Sequence, residues 1–97
     1  MKTLAQIQQT LQHYQSELKN KYGIERLAIF GSYARQEQTE ESDIDILVEL
    51  GQQPLGMRYL DFAAELETIL QDKVDIVSRR GIKPQYFQVI EKDLKYV

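Results

Sequence analysis

Ninety-seven residues, 42% hydrophobic and 28% charged, fit one folded domain spanning 1–97 and argue against disorder. The absence of cysteine excludes disulfides and thiolate zinc sites and fits a reducing, cytoplasmic setting, and no apolar run approaches the roughly 20 residues of a membrane span. A net charge of −3 counts against a chain that holds nucleic acid directly, because such chains present a basic surface.

The first element is an amphipathic helix from Thr3 to Tyr22. Leu4, Ile7, Leu11, Tyr14, Leu18 and Tyr22 recur at steps of three and four. Thr3 with Gln6 spells a capping box, and Gly23 is a natural terminator. The stretch is polar and periodic, unlike a signal peptide. His13, the sole histidine, lies off the apolar stripe and reads as solvated, or as a contact for a partner.

A strand follows over Ile24–Phe30 and breaks at Gly31-Ser32. The residues Ser32 to Gln36 suit a short helical turn whose first N–H groups face whatever lies above the strand end. Gly31 lets the backbone approach an anion closely, and the Ser32 hydroxyl adds a hydrogen bond. Read alone, the pair is an ordinary turn with a serine cap. Two aspartates downstream tip the reading towards a phosphate site.

Those aspartates follow a polar, acidic loop, residues 36–42. Asp43-Ile44-Asp45 then opens a second apolar run, Ile46-Leu47-Val48. Alternation along a strand puts Asp43, Asp45 and Leu47 on one face and Ile44, Ile46 and Val48 on the other. The two carboxylates then stand roughly 6.5–7 Å apart at Cα. Like charges on one face repel, and a hard divalent cation such as Mg²⁺ removes that cost.

Residues 51–56 form a turn-rich connector around Pro54 and two glycines. Met57–Leu70 is predicted as a helix, with Leu60, Ala63, Ala64, Leu66, Ile69 and Leu70 on a broad apolar face that Tyr59 and Phe62 extend. Asp61, Glu65 and Glu67 form its wet side. A third strand is predicted over Lys73–Ser78, with Asp75 and Val77 facing away from Val74 and Ile76. An aspartate inside such a strand is costly unless partnered. Asp75 is therefore either an edge residue reaching water or a third ligand beside Asp43 and Asp45. Arg79 and Arg80 neutralise a triphosphate, bind an acidic partner, or merely solubilise. Pro84 starts a last helix with Tyr86, Phe87, Ile90 and Leu94 as its stripe.

The spacing Gly-Ser-x10-Asp-x-Asp, each half attached to a strand-like run, resembles the signature of the polymerase-β-like nucleotidyltransferase superfamily. It is most similar to the shortest branch, the minimal nucleotidyltransferase (MNT) domains. The resemblance runs from Leu27 to about Tyr96 and is strongest in residues 30–35 and 42–48. One departure is Gln36, where family members often carry glycine. The resemblance implies an α+β fold, a small mixed β-sheet of about three strands flanked by helices, built like a polymerase-β palm. It also supports Asp75 as the third carboxylate.

Three clustered carboxylates suit in-line nucleotidyl transfer with two Mg²⁺ ions, and the resemblance implies ATP as substrate. Asp43, Asp45 and Asp75 would then be the catalytic and metal-holding residues. Gly31 and Ser32 would hold phosphates, with Arg35 as an added charge partner. The chain carries no acceptor-binding addition, so the acceptor should dock whole on the open face. MNT domains are commonly antitoxins of HEPN-domain ribonuclease toxins, which implies AMP transfer to a tyrosine of a cognate HEPN toxin in a heteromeric complex. Alternatives are an antitoxin that neutralises by binding alone, and a small-molecule, antibiotic-type nucleotidyltransferase. A nuclease is more distant, since such sites rarely carry the Gly-Ser turn.

Overall fold

The computed structural model describes residues 2–97. Its elements are helix α1 (Leu4–Tyr22), strand β1 (Ile24–Phe30), a one-turn helix α2 (Gly31–Ala34), β2 (Ile44–Leu50), α3 (Arg58–Leu70), β3 (Val74–Ser78) and α4 (Pro84–Ile90). A 3₁₀ turn (Glu91–Asp93) and a two-residue strand β4 (Lys95–Tyr96) complete the chain. The strands form one mixed sheet in the order β3-β2-β1-β4. β1 runs antiparallel to β2 and β4, and β2 runs parallel to β3 with α3 as the crossover.

The capping box forms as the sequence predicts. Gln6 N–H donates to Thr3 Oγ1 at 3.2 Å, and Thr3 N–H donates to Gln6 Oε1 at 2.9 Å. Gly23 closes α1 at φ 68°, with its N–H on the Lys19 carbonyl. Ile7, Leu11, Leu18 and Tyr22 of α1 are buried against β1 and α3. Tyr22 meets Phe62 edge-on at 5.1 Å, and its hydroxyl donates to Glu65 Oε2 at 2.6 Å. Burial, with Glu65 beside it, pushes the Tyr22 phenol up to about 12.

The two sheet faces are unequal. Ile44, Ile46 and Val48 of β2 enter the large core beneath α1 and α3, together with Leu27, Ile29, Ile76, Phe62, Leu66 and Leu70. The opposite face carries a small core of Ala28, Phe30 and Leu47. Val77 of β3, Phe87 and Ile90 of α4, and Leu94 cover it. The alternation read from β2 and β3 is therefore the observed one.

Four strands replace the expected three. β4 is too short to show a period, and side chains hold it instead. Tyr96 donates to Glu49 Oε2 at 2.7 Å, and the Arg26 guanidinium lies 4.0 Å from the Tyr96 ring centre. Three apolar residues expected inside are outside: Tyr59, Leu60 and Tyr86 are 42%, 75% and 58% exposed. Ala64 is also exposed. Both helices are apolar over more than half their circumference, yet each covers only one sheet face. Leu55, by contrast, leaves the connector and enters the large core.

Candidate active site

β2 brings the site together. Its register sets Asp45 opposite Phe30 of β1 on one side and opposite Asp75 of β3 on the other. Residues opposite each other in a ladder share a face, so both carboxylates stand on the thinly covered side. Asp43 precedes β2 by one residue and falls on the same side by alternation. Asp43 and Asp75 are exposed, and Asp45 is partly buried.

The Gly31 turn lies on top of Asp45. Gly31 adopts φ 74°, and a Cβ placed on it would overlap Asp45 Oδ2 and come within 3.0 Å of Asp45 Cγ. Only glycine meets both demands. The one-turn helix α2 begins there and has no side-chain cap, so Ser32 does not serve as one. Tyr33 is buried in the large core and reaches Asp72 with its hydroxyl, anchoring the turn to the segment before β3.

Burial raises the Asp45 carboxyl from 3.8 to about 6; Asp75 and Asp43 add to the rise, and Arg35 opposes it. Asp45 therefore feels the charge of both other predicted carboxylates. Among the described residues, no three His, Cys, Asp or Glu side chains are already closed into a metal-ready cluster. The acids are neighbours on an open face rather than a preformed cage. A cavity of about 460 Å³ lined by Lys21, Tyr22, Arg58, Asp61 and Glu65 lies between α1 and α3 and involves none of them.

Arg35 stands at the rim. Its Nη1 is 3.0 Å from Asp93 Oδ2 and its Nε 3.4 Å from Glu37 Oε1. Asp93 was not legible as a site neighbour, because the contact depends on where the C-terminal segment returns. Arg79 and Arg80 belong elsewhere. Arg79 follows β3, four residues beyond Asp75 and about 13 Å along the strand. It stacks 3.7 Å from the Phe87 ring centre, while Arg80 Nη2 donates to the Gly51 carbonyl. His13 is exposed on α1, where its ring meets Tyr14 edge-on. Gln36 adopts φ 60°, a left-handed conformation that favours the glycine common at this position in the resembling family.

A glycine turn packed on an acid, with a second acid in register on the next strand, agrees with the nucleotidyltransferase resemblance of the sequence. The Polymerase beta, Nucleotidyltransferase family matches residues 6–94, and the chain belongs to that family. It is 47% identical to a candidate protein adenylyltransferase of Methanocaldococcus jannaschii, covering 100% of both chains. It is 32% identical to the protein adenylyltransferase MntA of Thermococcus cleftensis, covering 100% of this chain and 98% of that one.

Among solved structures, a candidate minimal nucleotidyltransferase superposes with a TM-score of 0.82 at 30% identity, covering 97% of this chain and 95% of the other. A chain in a complex of a tri-AMPylated Shewanella oneidensis HEPN toxin with an MNT antitoxin shares the fold, with a TM-score of 0.66 at 22% identity. That match covers 93% of this chain and 70% of the other. The activity of this family is nucleotidyl transfer, these relatives are named protein adenylyltransferases, and the chain is an enzyme of that type. Among the described residues, no helix is long and apolar enough to cross a membrane.

Proposed function

We propose that the chain transfers AMP from ATP to a tyrosine hydroxyl of a cognate HEPN-domain toxin and so silences it, with Asp43, Asp45 and Asp75 as the catalytic carboxylates. The observation that carries this reading is the packing of the Gly31 turn on Asp45, with Asp75 in register beside it. An oxygen-only set of mutually repelling carboxylates, one of them pushed up to about 6, fits hard divalent cations. Family membership supports divalent-metal and ATP use; two Mg²⁺ ions held by Asp43, Asp45 and Asp75 are our assignment. When bound, such ions polarise phosphate oxygens and acidify a hydroxyl.

The chain's own residues orient the reactants. The Gly31 turn, held against Asp45 because no Cβ intervenes, offers backbone N–H groups and the Ser32 hydroxyl to the phosphates. Arg35 adds positive charge at the rim. In the reaction the acceptor hydroxyl gives up its proton to a neighbouring carboxylate or to water, its oxygen bonds to the α-phosphorus, and the bond to the departing pyrophosphate breaks. The open face leaves room for a folded protein to present that hydroxyl.

The test is incubation of the chain with ATP, Mg²⁺ and a HEPN partner, read by intact mass. Addition of whole AMP units to a partner tyrosine is expected, and the Asp43→Ala/Asp45→Ala double variant should add none. A full mass shift with the double variant refutes the carboxylate assignment. The binding-only alternative draws on exposed apolar residues suited to protein contact, Met57, Leu60 and Val89. It wins if the double variant still silences the partner without modifying it.

A further inference from the structure

Asp93 lies far from every motif in the sequence, yet the fold delivers it to the site. α4 starts beyond the Ser78 end of β3 and crosses the small core through Phe87 and Ile90, with Leu94 following after the 3₁₀ turn. β4 then pairs Lys95 with Ile29 of β1. The Glu91–Asp93 turn that leads into β4 packs beside β1, whose last residue, Phe30, precedes Gly31. The Arg35 contact agrees, because Arg35 follows α2 directly and its N–H bonds the Gly31 carbonyl at 3.1 Å.

Two carboxylates grip the guanidinium, and they are unequal. Asp93 accepts from Nη1 at 3.0 Å and its side chain is 25% exposed; Glu37 is 3.4 Å from Nε and 65% exposed. Asp93 is the closer and less solvated hold. Nη2 has no partner among the described residues. A planar guanidinium fixed along one side keeps N–H groups for a second anion, and its fork matches phosphate oxygens. An exposed pair contributes little to folding, so a role in stability alone would leave its placement beside Gly31 without consequence.

We propose that Asp93 is a positioning residue, holding Arg35 at the mouth of the Gly31–Asp45–Asp75 site so that its remaining N–H groups meet the triphosphate. This rests on the nucleotidyl-transfer reading and extends it to the C-terminal segment. Binding of ATP with Mg²⁺ to the full chain, measured by titration calorimetry, tests it without an acceptor. Asp93→Asn should weaken binding roughly five- to tenfold, as for loosening one charge-assisted contact. Asp93→Glu should recover most of that loss. In an Arg35→Ala background, Asp93→Asn should cost nothing further, because it acts through Arg35.

Unfolding of Asp93→Asn should stay within about 3 °C of wild type, so the loss is not one of structure. Asp93→Asn binding as tightly as wild type, or more tightly, overturns the inference. So does an undiminished cost in the Arg35→Ala background. Wild-type chain that binds no ATP with Mg²⁺ overturns the nucleotidyl-transfer reading itself, and this inference with it.

Discussion

Asp45→Asn should make the metal-free protein more stable while removing its activity. The Asp45 carboxyl is raised from 3.8 to about 6, first by burial and then by Asp75 and Asp43. At roughly 1.4 kcal/mol per pH unit, a shift of this size would cost about 3 kcal/mol if realised in full. Water reaches the group, and screening leaves on the order of 1 kcal/mol. Because the folded value lies above the unfolded one, the protonated acid favours the fold. That advantage is complete below about pH 4 and lost as pH rises through about 6. Asparagine has nearly the same shape and no charge, so the variant escapes the loss.

The assay is thermal unfolding in EDTA across pH, beside AMP transfer with Mg²⁺. For a domain of this size, about 1 kcal/mol corresponds to a rise of about 4–8 °C in Tm at pH 8. The gap should close as the pH falls from about 6 to about 4. Transfer should drop by at least about 10²–10³-fold, the usual cost of removing one preorganised electrostatic group. Excess Mg²⁺ should favour wild type again, since a ligand of the native state stabilises by mass action. A lower Tm for the variant in EDTA at pH 8, or a gain that ignores pH, refutes the reasoning.

Gly31→Ala should lose both stability and transfer, because φ 74° and overlap with Asp45 act together. The left-handed backbone alone costs about 1–2 kcal/mol, read by urea unfolding. Gln36→Gly relieves φ 60° and should stabilise by about 0.5–1 kcal/mol once the entropy of glycine is deducted, with AMP transfer retained. Phe62→Ala empties a fully buried position of α3 in the large core and should cost about 3–5 kcal/mol, visible as a fall in the urea midpoint.

Much of this was legible in the chain. The run Asp43–Val48 alternates without a break, so its two faces could be assigned before any packing was known. Thr3, Gln6 and Gly23 fixed α1 because caps act locally. Gly31 could be suspected from its place between a strand and two aspartates, although its contact with Asp45 required the β1–β2 register. What escaped notice depends on distant partners. Leu60 and Tyr86 are apolar at helical positions, and only the sheet decides which side of a helix is covered. β4 has two residues and no period; Glu49 and Arg26, dozens of positions away, secure it. Asp93 had no local signal at all.

The sheet separates two kinds of change. The bulk of the oily mass sits behind it, under α1 and α3, while the working acids ride on the front with little above them. Substitutions behind the sheet can therefore drift, or be engineered for heat resistance, without altering how the front meets another protein. The front, lightly roofed by α4, is free to reshape its edges around a new acceptor while the scaffold stays the same.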